Sequence, residues 1–525
     1  MASGKIYTRH DWPLGVGASR RKRRFAADEY HLDADVVVVG SGAGGAVVAA
    51  ELAEGGLDVA VMEEGGYHPS SEFNANAASM VRKLYRDGGL TVALGRPPVI
   101  YAEGRCVGGS TVLNGGMSWR TPERILRSWN DDHHLADSLP HLMEPYFDRV
   151  EGFISAKLQA PDTASHDNEL LRRGAEKVGW RYVENIRNQL HCAGTNNCAF
   201  GCPTDAKRSS LVSYIPRAVH FGARIYADAK VDRVLIERGR AVGVQGRVVN
   251  FDGGGGYRFV VRARWVVVAA GAVHTPALLL RSGVRTPSKN VGRNLTLHPN
   301  VKVVGVFDEK VDGHKGVQQS YQVRQFEEQG IGVMAAVNLP PAILAMSFPM
   351  WGDQLRQALQ QYNHMVTAGV LVEDSVTGRV RLAPGGRPVV SYQLTDPDIH
   401  RFQRGMALLS ELLFEAGAKQ VYLPIEGMDP ITSLAQARAV PDLTIKPNAL
   451  EVATVHVMGT AAMGGDPSRH VCDSYGGVRT VSGLVVADAS VFPSPIGVNP
   501  METIMALATR NAEQILRIDR SRRAS

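Results

Sequence analysis

The chain has 525 residues, 44% of them hydrophobic and 21% charged, with a formal net charge of +6. This is globular composition, which excludes a disordered or collagen-like chain, and the charge is too mild for the length to point to a nucleic-acid partner. Five cysteines are too sparse for a disulfide scaffold, whereas 55 glycines exceed the usual ~7% share and, with no low-complexity tract to hold them, must serve local backbone geometry.

Residues 1–30 read as a polar extension. The run Arg20-Arg21-Lys22-Arg23-Arg24 is either a solvated tail or an arm for an anionic surface. Phe25-Ala26-Ala27-Asp28-Glu29 follows it instead of an apolar stretch, so no signal peptide is expected. No apolar run reaches the ~18 residues of a membrane span, and a soluble cytoplasmic protein with reduced thiols is the expectation.

Ala34 to Val39 is an apolar, β-branched strand of the kind buried on both faces. It enters Gly40-Ser41-Gly42-Ala43-Gly44-Gly45, a helix from Ala46 to Glu54, and a second strand, Val59–Met62, ending at Glu63-Glu64. Polar helices and a cysteine-containing loop fill 140–220. A β-meander is predicted over 222–269, beginning at Arg224-Ile225-Tyr226 and closing on the buried strand Trp265–Val268. Strands and helices alternate through 301–450, with a helix over 398–417 between Thr395-Asp396-Pro397 and Gly417. A buried strand at Leu484-Val485-Val486 and an amphipathic helix from Glu502 to Ile518 end the chain.

The Gly40-x-Gly42-x-x-Gly45 spacing lies between a strand and a helix, the context that gives it meaning. Gly40 makes the tight turn, Gly42 lets backbone approach a pyrophosphate, and Gly45 lets helix and strand pack. Ser41 lies within the turn. The helix N-terminus offers free N–H groups to phosphates. Glu63, 23 residues past Gly40, is the acidic residue suited to a ribose hydroxyl.

Five further segments decide the cofactor. Gly104-Arg105-Cys106-Val107-Gly108-Gly109-Ser110-Thr111-Val112-Leu113-Asn114-Gly115 is similar to the first signature of the glucose–methanol–choline (GMC) oxidoreductases. Gly271-Ala272-Val273-His274-Thr275-Pro276 onward resembles the second, and Gly292-Arg293-Asn294-Leu295 through His298-Pro299 resembles the segment that follows it. His456-Val457-Met458-Gly459-Thr460 and Asn499-Pro500-Met501-Glu502-Thr503 complete the set, all in family order.

The resemblance implies an α/β protein with a Rossmann-like FAD-binding domain and an interleaved substrate domain, built on an antiparallel sheet with helices. The FAD domain is expected at 31–150, 221–300 and 451–525, and the substrate domain at 151–220 and 301–450. FAD contacts are implied at Gly104, Arg105, Gly109, Ser110, Asn114, Gly115, Val231, Ala270, Asp488 and Met501. Capping a turn is the plain alternative for Asp488. The resemblance also selects His456 from 16 histidines as the general base, with Asn499 as its partner. His274 and His298 read as structural.

Cys192, Cys198 and Cys202 form a C-x5-C-x3-C-P loop. Three thiolates can hold an iron–sulfur cluster. The loop resembles that of bacterial FAD-dependent glucose dehydrogenase subunits, which carry a [3Fe–4S] cluster and pass electrons to a protein acceptor. It also resembles a loop of relatives akin to long-chain alcohol oxidases, for which no cluster is inferred, and inert buried cysteines are the plain alternative.

The leading expectation is FAD-dependent oxidation of an alcohol to an aldehyde or ketone, with oxygen or an electron-acceptor protein as the oxidant. A cluster-bearing dehydrogenase and a lyase with non-redox FAD are the alternatives. Met334, Phe348, Met350, Trp351, Tyr362 and Met365 either line an apolar pocket for a fatty, terpenoid, sterol or aromatic alcohol or belong to the core.

Overall fold

The computed structural model describes residues 4–12, 19–21, 29–160, 163–249, 255–317, 319–337, 339–375 and 378–524. Lys22, Arg23 and Arg24 of the basic run lie outside the described residues.

A nine-stranded sheet carries the first glycine turn. Its order is Lys5–Tyr7, Arg224–Tyr226, Val59–Met62, Glu29–Val39, Gly255–Val268, Arg240–Val249 and Ala229–Glu237, with Ser19–Arg21 and Leu484–Val486 pairing off this path. Val36–Val39 run parallel to and in register with Val59–Met62 on one side and Trp265–Val268 on the other. Every one of these side chains is buried, which is why the stretches read as continuous apolar runs rather than alternating ones. The helices Ala43–Glu54 and Met501–Ala524 pack against each other on this sheet.

Two expectations change here. Arg224–Tyr226 does not open the meander but pairs in parallel with Val59–Met62. Asp228, in the left-handed region at φ +56°, turns the chain out of the parallel layer into the antiparallel strands that follow. Residues 1–30 are not wholly a polar extension, since Lys5–Tyr7 adds a parallel edge strand. Tyr7 stacks on Tyr226, and buried Trp12 packs against Tyr30, Tyr226 and Phe259. These aromatics anchor a segment whose average composition is polar.

The second sheet runs Thr91–Ala93, Val99–Tyr101, Val452–Thr454, Asn300–Val306, Met365–Val372, Ile331–Ala336, Tyr321–Val323 and Tyr182–Glu184, mostly antiparallel. Its strands come from distant parts of the chain, so the polypeptide crosses between the two sheets repeatedly. One face is covered by the helices Asp396–Ala416 and His166–Val178. Val301 and Val303, with Val366, Ala368 and Val370, enter the core beneath them. Strand alternation therefore turns Asn300, Lys302 and Gly369 to the opposite face.

The helix Asp396–Ala416 starts where the sequence predicts. Thr395 and Asp398 form a reciprocal capping box, and Gly417 at φ +111° ends the last turn. Phe348 and Met365 are buried in a small satellite cluster, against which Met350 and Tyr362 pack, while Met334 enters the main core and Trp351 is 74% exposed. These six residues therefore divide between core and surface and line no common apolar pocket. Among the described residues, no helix is long and apolar enough to cross a membrane.

Candidate functional site

The turn after the first strand is fixed by close backbone packing. A Cβ at Gly44 would lie 1.7 Å from the carbonyl oxygen of Ala487, and one at Gly45 2.0 Å from that of Gly40. Gly42 is different. Its φ is −73°, and the nearest atom to an added Cβ is the Cα of Gly109 at 3.9 Å. The protein itself has room for a methyl group at Gly42. No side chain caps the helix that follows, and no acidic residue lies in its first turn, so its N–H groups are available to an anion.

Ser41 joins this turn to the loop carrying the first family signature. Its hydroxyl donates to Glu63 Oε2 at 2.7 Å and accepts from the Gly108 N–H at 3.0 Å. The Glu63 carboxylate also accepts from the N–H groups of Ser41 and Gly65. Burial pushes the pKa of Glu63 up, and these hydrogen bonds oppose the shift. Oε1, with a single donor, keeps acceptor capacity beyond its bond to the turn.

Arg105 stands 3.7 Å from Glu64, which also meets Arg86 and Lys230. Burial would raise the Glu64 pKa, but the surrounding cations hold it well below the usual carboxylate range. Gly104 N–H donates to Ser110 Oγ, and Gly109 abuts Gly42. The Val231 side chain is buried, and the Ala270 N–H donates to Thr275 Oγ1. Asp488 accepts from the N–H groups of Gly271 and Ser490 and from the Thr275 hydroxyl, and so caps two turns at once.

Further along the loop, Asn114 Nδ2 approaches Met501 Sδ at 3.0 Å, and a Cβ at Gly115 would meet Gln319 Oε1 at 1.9 Å. Two residues before Met501, Asn499 Nδ2 lies 3.3 Å from His456 Nε2. The structure thus brings Asn114 to Met501 and Asn499 to His456, and Pro500 joins the two pairs along the chain. His456 is buried, and burial, aided by the charge of Lys302, lowers its pKa to about 4. The imidazole is neutral at physiological pH and can accept a proton.

His456 Nδ1 and the side-chain oxygens of Asn114, Asn499 and Gln319 are buried with no hydrogen-bond partner among the described residues. Buried polar atoms are normally paired, so a cluster of orphans marks a place built for other molecules.

His298 is structural, as expected. Its Nε2 accepts from the N–H groups of Ile496 at 3.0 Å and Gly497 at 3.1 Å, which holds the segment leading to Asn499. His274 stands 3.6 Å from Glu103.

Cys192, Cys198 and Cys202 line one small pocket with Arg187 and Lys207. Arg187 Nη2 lies 3.6 Å from Cys198 Sγ, and the Lys207 N–H lies 3.4 Å from Cys202 Sγ. Lys207 Nζ donates to the carbonyls of Val112, Asn114 and Cys198, which ties the cysteine loop to the signature loop. Burial lowers the pKa of Lys207 to about 8. Among the described residues, no three His, Cys, Asp or Glu side chains are grouped to hold a metal ion.

Lys302, Gln322 and Lys207 are absent from the sequence-predicted site. The signal for Lys302 was a single charge in the apolar run Val301–Val306.

Similarity to known proteins gives the family. GMC oxidoreductase family models match residues 81–300 and 374–508, and an FAD binding domain model matches 35–80. A GMC-type oxidoreductase of Sinorhizobium fredii is 37% identical over 490 residues, covering 93% of this chain and 95% of that protein. A long-chain-alcohol oxidase of Arabidopsis thaliana is 29% identical, covering 97% of this chain and 71% of the relative. The structure of an Aspergillus oryzae formate oxidase superposes with a TM-score of 0.69 at 18% identity, over 92% of this chain and 98% of that one. The chain belongs to the GMC oxidoreductase family.

Proposed function

We propose that this protein oxidises a primary or secondary alcohol to an aldehyde or ketone, with His456 as general base and Asn499 orienting the hydroxyl. The observation that carries the reading is the His456–Asn499 contact, with a buried, neutral imidazole, two residues along the chain from the Met501 that meets Asn114 of the signature loop. The likeness to a long-chain-alcohol oxidase supports the reaction class.

FAD would be held by the Gly40–Gly45 turn, Glu63, Arg105 and the Gly104–Gly115 loop, with Val231, Ala270, Asp488 and Met501 around it. When bound, FAD supplies a hydride acceptor. The chain's own groups do the rest. His456 takes the hydroxyl proton. The Asn499 amide bonds the substrate oxygen without competing for that proton. We assign the first sheet to the FAD-binding domain and the helix-covered second sheet to the substrate domain.

The room at Gly42 gives a direct test of cofactor placement. Gly42→Ala folds with an unchanged melting temperature in the flavin-free protein, yet binds FAD at least tenfold more weakly. A G42A protein with undiminished FAD affinity removes Gly42 from the pyrophosphate contact.

The reaction is tested by anaerobic mixing with a broad alcohol panel, followed by oxygen. Flavin bleaching identifies an oxidoreductase, and its return with oxygen identifies an oxidase. A flavin that no alcohol bleaches, in a protein that cleaves hydroxynitriles, is the lyase outcome. A second reading, a cluster-bearing dehydrogenase using a protein acceptor, needs the three cysteines of the shared pocket to close around a cluster, a grouping that the described residues do not show. Iron and sulfide analysis of anaerobically prepared protein decides it, and iron-free protein with full activity ends that reading.

A further inference from the structure

Lys302 is a cation with no opposite charge against it. Its one hydrogen bond is to Asn300 Oδ1, and no carboxylate forms an ion pair with it among the described residues. Burial lowers its pKa to about 8, so it still carries its proton at neutral pH. Its charge also reaches His456, where it adds to the lowering of that histidine's pKa.

The strand register shows what surrounds it. Lys302 stands opposite Gly369, Gly369 opposite Ala335, and Ala335 opposite Gln322. Directly opposed residues on antiparallel strands share a face, so the four form one continuous row across the sheet. At ~4.8 Å per strand, the row spans about 14 Å. The two central positions are glycine and alanine. An added Cβ at Gly369 would lie 2.8 Å from Lys302 Nζ, so the ammonium lies over that glycine. At the far end, Gln322 is fully buried, and both atoms of its amide lack a partner among the described residues. Nearby, the backbone of Gly332 presses towards the Gly497 carbonyl, two residues from Asn499.

The row thus has an ammonium at one end, an unsatisfied amide at the other, and the two smallest side chains between them. It lies on the sheet face opposite the helix-covered core, and its Lys302 end is near enough for its charge to act on His456. We propose that this row is a subsite for a carboxylate, held by Lys302, and that the alcohol oxidised at His456 therefore bears a carboxylate group. A single ammonium balances one carboxylate, whereas a phosphate dianion calls for more positive charge or an arginine fork. The substrate class rests on the alcohol-oxidation reading, but the subsite does not.

The holoprotein is titrated with straight-chain carboxylates from propanoate to decanoate and with the matching neutral alcohols. Binding is read from the flavin absorbance and from the melting temperature. Carboxylates perturb the flavin and raise the melting temperature. Lys302→Met weakens them about tenfold to a hundredfold, the range of a lost charge-assisted hydrogen bond. Lys302→Arg, which keeps the charge, retains most of the affinity and serves if the methionine variant does not fold. In anaerobic flavin reduction, kcat/KM favours ω-hydroxy acids over alcohols of equal length, and K302M abolishes that preference.

Alcohols that reduce the flavin, in a protein indifferent to every carboxylate, overturn the subsite and leave the alcohol reading intact. Lys302-dependent carboxylate binding without reduction by any alcohol or hydroxy acid keeps the subsite and overturns the alcohol reading. A K302M protein that keeps the preference for hydroxy acids returns Lys302 to the scaffold.

Discussion

His456→Ala keeps its flavin but loses alcohol oxidation by a factor of ~10²–10⁴, the usual worth of a positioned general base. The imidazole contacts Asn499 and lies apart from the Gly40–Gly45 turn, so the substitution leaves the nucleotide contacts unaltered. The pH dependence identifies the group. Burial, and next the charge of Lys302, lower the His456 pKa to about 4. A base must be unprotonated to act, so kcat/KM is level from pH 7 to 6 and falls as the pH approaches 4. His456→Asn separates positioning from proton transfer, because an amide can still bond Asn499 but cannot accept the proton. H456N should be as slow as H456A and lack the acid limb. Flavin reduction by either variant at the parent rate sinks the base assignment.

The parts of this protein legible in the sequence are those whose causes are local. A glycine spacing after an apolar run yields the turn at Gly40–Gly45, since Gly40, Gly44 and Gly45 each answer a nearby backbone contact. Thr395, Asp398 and Gly417 mark a helix because caps act within one turn. The His456–Asn499 contact joins residues 43 apart, and only the family resemblance paired them. The Lys302 to Gln322 row depends on the register of four strands, which no local pattern encodes. The apolar residues between 334 and 365 stayed ambiguous because hydrophobicity alone does not separate a pocket wall from a satellite core. Tyr7 and Trp12 were hidden for the opposite reason, as two buried aromatics inside a polar segment.

His298→Ala destabilises the fold and disorders the catalytic segment together. His298 lies wholly within the protein, and its Nε2 is the acceptor for two backbone N–H groups, those of Ile496 and Gly497. An atom that accepts two donors carries no proton of its own, so the proton belongs to Nδ1. Asp374 holds the backbone that carries the ring by accepting from the N–H groups of Leu297 and His298. Removing the ring orphans two buried donors at ~1–3 kcal/mol each, or roughly 2–6 kcal/mol, a large share of the ~5–15 kcal/mol that holds a domain together. His298→Gln offers an oxygen that can accept from both groups and should recover much of the loss, whereas the isosteric but apolar His298→Phe should not. The acid response supplies a second measurement. Burial, and then the charge of His456, depress the His298 pKa well below its ordinary value. Below pH ~6.5 the unfolded chain therefore binds a proton that the native ring refuses, and stability falls as the pH falls, by ~1.4 kcal/mol per pH unit for that one group. Denaturant unfolding between pH 6.5 and 4.5 should show a slope shallower by this amount in H298Q. An unchanged slope would mean that His298 is protonated in the native protein, which its two N–H donors do not permit.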